Sequence, residues 1–106
     1  MRGIRISRAA RKEIDLVVVA ARYEKDGKVQ LVQAYRRNGL IWHDIQLLDR
    51  AALILYLKQG LRLVAGKPRD IEGDFEVTAP IHHDPENDIL AGDDTSAKDD
   101  LQVPLF

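Results

Sequence analysis

The sequence contains no cysteine, and this absence excludes disulfide bonds, thiol catalysis and zinc sites built on cysteine. It has no apolar run close to the roughly 20 residues that a membrane-spanning helix needs. Its first residues also lack the pattern of a signal peptide. We therefore expect a soluble, cytoplasmic protein with no membrane partner.

Patterns typical of enzymes are equally scarce. Gly60, Gly66 and Gly73 stand alone, without the spacing of a phosphate-binding loop. His82 and His83 are adjacent, so they point in different directions in an extended chain, and no further ligand stands at a useful spacing for a metal. No serine or threonine has a partner base that the sequence identifies. We expect no catalytic residue, no metal and no cofactor, and hence no enzyme.

The charged residues are distributed unevenly along the chain. Residues 1–79 hold fifteen Lys and Arg against ten Asp and Glu, a net charge of +5. Residues 80–106 hold one lysine against seven carboxylates, a net charge of −6. A basic body with an acidic tail is typical of proteins whose body binds polyanions. An uneven but merely solvated surface is the alternative, since +5 is a modest charge.

Strand signals dominate the first half of the sequence. β-branched residues and alternating apolar positions predict strands over residues 2–8, 13–24, 28–37 and 40–47. Asp26-Gly27 and Asn38-Gly39 are two-residue pairs typical of hairpin turns. They predict an antiparallel β-meander of three strands, which the first strand extends to four.

A helix and two further strands follow the meander. Asp49 is a good N-cap, residues 50–59 contain no helix breaker, and Gly60 stands where a C′ glycine belongs. Apolar residues run almost all the way round this helix, so we expect the sheet to cover one side and a second subunit another. Residues 61–65 and 74–79 predict the two further strands.

The predicted fold is an α+β domain over residues 1–79. A domain of about 80 residues has only a small hydrophobic core, so we expect a homo-oligomer. From residue 80 onward Pro, Asp, Asn, Gly and Ser prevail, which predicts a disordered acidic tail over residues 80–106.

The two turns also predict the register of the meander, and therefore the faces of its sheet. The expected core face collects Val17, Val19, Ala21, Val32, Ala34, Ile41, His43, Ile45 and Leu47. The opposite face places Tyr35 directly across from Trp42, with Arg22 and Arg37 close by.

Aromatic rings beside guanidinium groups on an open sheet suit single-stranded nucleic acid. Bases stack on the rings, each worth about 1–3 kcal/mol, while arginines neutralise phosphates. Arg22, Tyr35, Arg37 and Trp42 are therefore the predicted nucleic-acid-binding residues. The alternative is that the aromatic pair stabilises the sheet or lies under a subunit interface.

An apolar tip ends the acidic tail. Asp99 and Asp100 lead into Leu101-Gln102-Val103-Pro104-Leu105-Phe106. A solvated tail has no reason to carry so many apolar residues. The tip therefore predicts a segment that docks in a pocket of another protein.

Gln102-Val103-Pro104-Leu105-Phe106 resembles the bacterial sliding-clamp-binding motif, whose pattern is Gln, an aliphatic residue, a variable residue, Leu and Phe. All four specified positions match. The resemblance implies that Gln102 is a polar anchor, and that Leu105 and Phe106 fill a hydrophobic pocket of the clamp. It covers the tip alone.

The tip is also similar to the acidic, Pro-Phe-ended tail of bacterial single-stranded-DNA-binding proteins. It departs from that pattern by inserting Gln102 and Val103 and by placing Leu105 between proline and phenylalanine, which favours the clamp motif. A tip that folds back into a groove on its own domain is a third possibility.

The sequence thus predicts a small accessory protein of DNA replication or repair. It would bind DNA, preferably single-stranded, and dock on a partner such as the sliding clamp through its tip. The alternative is a non-enzymatic protein-interaction adaptor, whose aromatic sheet face is a subunit interface and binds no nucleic acid.

Overall fold

A computed structural model describes residues 4–5, 14–38, 41–68, 75–92 and 98–106. They form one large sheet, one helix and a small two-stranded sheet, a β-rich mixed fold that agrees with the predicted α+β class. The elements are β1 (Ile4–Arg5), β2 (Leu16–Tyr23), β3 (Val29–Asn38), β4 (Ile41–Trp42), β5 (Gln46–Asp49), α1 (Arg50–Lys58), β6 (Leu63–Pro68), β7 (Phe75–Pro80), β8 (His82–Asp84) and β9 (Ile89–Ala91).

The large sheet has the strand order β1-β7-β6-β2-β3-β4, with β5 also paired to β3. Its centre is the antiparallel pair β2 and β3, and β6 joins β2 in parallel. Parallel neighbours need a crossover, and α1 lies in the connection from β5 to β6. The prediction that the first strand extends the meander is wrong, because β6 lies beside β2 and β1 pairs with β7 instead.

The helix begins and ends where the sequence predicts. The Asp49 carboxylate accepts a hydrogen bond from the Ala52 N–H at 2.8 Å, and Gly60 has the positive φ of +85° that a C′ glycine adopts. Leu53 is fully buried against the sheet, but Leu55 is largely exposed. The helix therefore buries one side rather than its whole circumference. No helix within the described ranges is long and apolar enough to cross a membrane.

The first hairpin keeps only part of its predicted register. Ala21 lies opposite Val32 as predicted, but a bulge between Val18 and Ala20 places Val18, rather than Val19, opposite Ala34. One extra residue in a strand exchanges the faces of everything beyond it. Val18 therefore lies in the main core, whereas Val17 and Val19 face the other side of the sheet.

The second hairpin departs further from its predicted register. Arg37 pairs with Trp42 rather than Leu40, and Val32 lies opposite Leu48 rather than Ile45. β4 is already displaced by two positions from the predicted register, and residues 43–45 between β4 and β5 add a third. Three residues of the predicted core face are exposed instead: His43, Ile45 and Leu47. Leu48 packs against the core in their place.

Each face of the sheet carries its own apolar cluster. The main cluster lies under α1 and includes Leu16, Val18, Val32, Leu53 and Leu63. The second cluster lies on the opposite face, and its buried residues are Ile14, Val17, Val64 and Phe75. Both faces of the sheet therefore bury apolar side chains.

The predicted disorder of residues 80–106 is wrong for the part of that range that the structure describes. β8 and β9 form a hairpin, and Ile81, Leu90 and Leu101 are buried in the main cluster. The Pro, Asp and Asn residues that suggest disorder form turns between these apolar residues, and composition alone does not separate the two cases. Residues 93–97 lie outside the described residues.

Candidate functional site

The predicted nucleic-acid face is an aromatic cluster with a third member. The ring of Phe75 lies 5.2 Å from that of Tyr35 and 4.8 Å from that of Trp42, tilted in both cases. Tilted rings at these distances stabilise a packed cluster. Phe75 is almost fully buried, and the other two rings are half-buried. The structure thus gives both predicted stacking residues an intramolecular ring partner.

Phe75 is the member of this cluster that the sequence analysis missed. It lies in a predicted strand, β7, but no local pattern places that strand near Trp42. Phe75 reaches Tyr35 and Trp42 although β6 and β2 lie between β7 and β3 in the sheet. A long-range topology of this kind has no signal in the spacing of residues.

The two predicted arginines lie in different environments. Arg37 donates from its Nε to the carbonyl of Ile14 at 2.6 Å and lies 3.5 Å from the carboxylate of Asp15. Its side chain is mostly buried. Arg22 lies near the other end of β2, where it contacts Phe106. The structure therefore brings Tyr35, Arg37 and Trp42 together, whereas Arg22 lies apart from them and contacts the tip.

The tip is held against the free edge of β2. The N–H of Ala21 donates to the carbonyl of Pro104 at 2.9 Å, and the N–H of Phe106 donates to the carbonyl of Ala21 at 3.2 Å. Arg22 lies 4.7 Å over the Phe106 ring and donates from its Nε to the Phe106 backbone oxygen at 3.2 Å. β6 pairs with β2 only as far as Val18. Beyond that point the tip takes the place of β6 and pairs with β2 in parallel, through Leu105 and Ala21.

The side chains of the tip divide between core and solvent. Leu101 is fully buried and Val103 packs against the main cluster. Gln102 is exposed, with a positive φ of 58°, and Leu105 is 73% exposed. Phe106 is half-buried beside Arg22. Gln102, Leu105 and part of Phe106 therefore reach solvent, although the tip is attached.

A buried carboxylate fixes the segment before the tip. The side chain of Asp99 accepts hydrogen bonds from the backbone N–H groups of Val29 (2.8 Å) and Leu90 (2.9 Å). It also accepts two from the guanidinium of Arg50, at 2.8 and 3.1 Å. Asp99 thus joins the start of β3, the start of α1 and β9.

A second carboxylate extends this ionic cluster toward solvent. Asp88 contacts the Lys28 ammonium at 2.8 Å, the Arg50 guanidinium at 3.1 Å and the His83 ring at 2.9 Å. The acidic tail and the basic body therefore neutralise each other in part within one fold. This pairing weakens the inference from the charge distribution to a polyanion partner.

These contacts lower the pKa values of both carboxylates. Burial raises the pKa of Asp99, but the hydrogen bonds from Arg50, Leu90 and Val29 outweigh it and leave the pKa below its usual value. Hydrogen bonds from Lys28, His83 and Arg50 hold the pKa of Asp88 well below its usual value. Both groups favour the folded state when they are ionised.

We expect the free energy of unfolding to fall at acid pH because of these two carboxylates. An Asp whose pKa is lowered by folding stabilises the protein fully above its unfolded pKa of about 3.9. That stabilisation is lost as the pH falls from there through the lowered folded value. Urea unfolding measured between neutral pH and acid pH tests this. Asp99→Asn should be less stable at neutral pH and show a shallower loss on acidification, and parallel curves would contradict the assignment.

An open polar cleft lies beside the aromatic cluster. It has a volume of about 340 Å³, and the described residues that line it are Arg36, Arg37, His43 and Gln46. The guanidinium of Arg36 lies 5.0 Å over the ring of Tyr56 and 3.4 Å from its hydroxyl. Of these four residues only Arg37 was predicted to bind a ligand, and His43 was predicted to lie on the core face of the sheet.

Within the described ranges, no three His, Asp or Glu side chains are placed so that they share a metal site. Comparison with protein-family models, with curated proteins and with solved structures finds no match for this chain. The functional conclusion therefore depends on the geometry of the chain's own residues.

Proposed function

We propose that the protein is a non-catalytic accessory protein of DNA replication or repair that docks on a sliding clamp through Gln102, Leu105 and Phe106. The exposure of Leu105 is the observation that carries the proposal. A leucine that is 73% exposed on a hydrogen-bonded backbone is presented to solvent in a fixed position. Gln102 is exposed in the same segment, as the resemblance to the clamp-binding motif requires.

Docking has a defined cost in this fold. Phe106 enters a partner's pocket only after its ring leaves the guanidinium of Arg22, which lies 4.7 Å above it. An exposed contact between a cation and a ring is worth about 0.5–1 kcal/mol. Two backbone hydrogen bonds to Ala21 also hold the tip. Leu105, by contrast, is available to a partner without any rearrangement.

Binding of the full chain to a purified bacterial sliding clamp tests the proposal. Leu105→Ala should weaken binding by about tenfold or more, because burial of a leucine is worth about 1.5–3 kcal/mol. Leu55→Ala is the matched control, since Leu55 is an exposed leucine on α1, away from the tip. Titration calorimetry gives the affinities, and thermal unfolding verifies that both variants are folded.

The control variant should bind like the unaltered chain. Equal losses of affinity in Leu105→Ala and Leu55→Ala would show that general surface hydrophobicity, rather than the motif, mediates binding. Absence of any binding by the unaltered chain would remove the clamp as the partner.

Binding of single-stranded DNA by the body is a second candidate function. The observation in its favour is the cleft with two arginines next to the Tyr35 and Trp42 rings. Cationic side chains that follow a phosphate chain, together with nearby aromatic rings, are the two components of single-strand binding. If the body binds no DNA, the remaining function is that of a protein-interaction adaptor, which binds its partner through the tip.

A further inference from the structure

The cleft at the end of β3 is lined by groups that donate hydrogen bonds. Arg36 and Arg37 carry full positive charges, and a guanidinium has five N–H donors and no acceptor. His43 and Gln46 each add a side-chain N–H, and no carboxylate is among the described residues that line the cleft. A site of this composition attracts an anion and disfavours a metal cation.

The two cationic side chains are held in place before any ligand arrives. Arg37 is fixed by the carbonyl of Ile14 at 2.6 Å and by the carboxylate of Asp15. Arg36 lies over the Tyr56 ring, with its Nη1 3.4 Å from the hydroxyl. Side chains that are already ordered lose less entropy when they bind a ligand.

A backbone hydrogen bond joins the two segments that line the cleft. The N–H of His43 donates to the carbonyl of Arg36 at 2.8 Å, so the chain that follows β4 is attached to the end of β3. This bond places His43 across from Arg36, and both of these exposed residues line the cleft. Arg37 is paired with Asp15, so Arg36 and His43 are the residues that present donors at the surface.

We propose that this cleft binds a phosphate group. Guanidinium groups match phosphate oxygens in geometry and form charge-assisted hydrogen bonds with them. The volume of about 340 Å³ lies near the lower end of ligand sites, which run from about 300 to 1,000 Å³. The phosphate belongs to free phosphate, to a nucleotide or to a nucleic-acid strand. In the last case the proposal rests on the DNA-binding function and supplies its phosphate contact.

Titration of the full chain with three probes separates these sources. The probes are inorganic phosphate, a 5′-mononucleotide and a labelled single-stranded oligonucleotide, all at matched low ionic strength. NMR shifts of the His43 and Gln46 signals report the first two, and fluorescence anisotropy reports the third. Thermal unfolding verifies that each variant is folded.

Arg36→Gln is the test variant, because Arg36 is exposed and the change removes its charge but keeps a polar side chain. Lys58→Gln is the matched control, since Lys58 is an exposed cation on α1 that does not line the cleft. Arg36→Gln should weaken phosphate binding by about tenfold, because a charge-assisted hydrogen bond is lost. Lys58→Gln should change it by less than about twofold, because Lys58 does not line the cleft and its charge acts through water.

Each combination of results has one meaning. Binding of phosphate or mononucleotide that depends on Arg36 establishes the site, and the site stands even when the oligonucleotide does not bind, although the DNA function then fails. Oligonucleotide binding that ignores Arg36 overturns the cleft proposal and leaves the DNA function intact. Equal effects of the two variants, or no binding of any probe, also overturn it.

Discussion

Leu101→Ala is expected to lower the free energy of unfolding by about 2–5 kcal/mol, the usual cost of truncating a fully buried leucine. Leu101 has no exposed surface and packs in the main cluster with Leu90 and Ile81. Its backbone N–H also donates to the hydroxyl of Tyr23 at 3.1 Å, and burial raises the pKa of that phenol. Since small domains have only about 5–15 kcal/mol in total, this change removes a large fraction of the stability. Urea unfolding followed by circular dichroism measures it.

Leu105→Ala is the matched control for this prediction. It removes the same atoms four residues away, but from a side chain that is 73% exposed. Surface substitutions of this kind usually change stability by less than about 0.5 kcal/mol. Equally small effects of both variants would show that the C-terminal segment does not pack on the body in solution.

Asp99→Ala is expected to destabilise the protein by about 3–5 kcal/mol, as found when one partner of a buried ion pair is removed. The change leaves the mostly buried guanidinium of Arg50 without its buried carboxylate partner. It also leaves the N–H groups of Val29 and Leu90 without the acceptor that they share. A buried donor without a partner costs about 1–3 kcal/mol by itself.

Glu86→Ala is the control for the removal of a carboxylate from the same region, because Glu86 is exposed. It should leave the unfolding midpoint nearly unchanged. If Asp99→Ala unfolded at the same urea concentration as Glu86→Ala, Asp99 would not hold the C-terminal segment to the body.

The sequence predicts those elements whose signals are local. Asp49 and Gly60 mark both ends of α1, and both act in the structure through the backbone geometry that their chemistry favours. β2, β3, β6 and β7 also lie close to their predicted positions. A cap or a run of β-branched residues acts within a few residues, so it is visible without knowledge of the fold.

The parts that were not predictable depend on long-range contacts or on one residue. The bulge at Val18 exchanges the faces of half a strand, although Ala21 and Val32 still pair as predicted. The pairing of β1 with β7 depends on the connection through α1, after which β6 pairs with β2 and β7 pairs with β6. The burial of Leu90 and Leu101 depends on a groove formed by residues more than 60 positions earlier, such as Val18.

The candidate sites show the same division. Exposure of Gln102 and Leu105 agrees with a docking segment, whereas the attachment of the tip to Ala21 was only one of the possibilities that the sequence left open. Tyr35 and Trp42 belong to one aromatic cluster through Phe75, but the expectation that they lie directly opposite each other is wrong, because Trp42 pairs with Arg37. The pairing of Asp99 with Arg50 has no local signal, because 49 residues separate them.

The position of Asp99 and Leu101 also governs how the protein folds during its synthesis. A ribosome produces chains from the N-terminus at about 5–20 residues per second. Asp99 accepts a hydrogen bond from Val29, a contact across 70 residues, so β3 and α1 are made long before the carboxylate that joins them. Contacts of such long sequence separation slow folding. The nascent chain therefore lacks the Asp99 partner of Arg50 and the Leu101 side chain of the core until both residues have been made, so these contacts form late in folding.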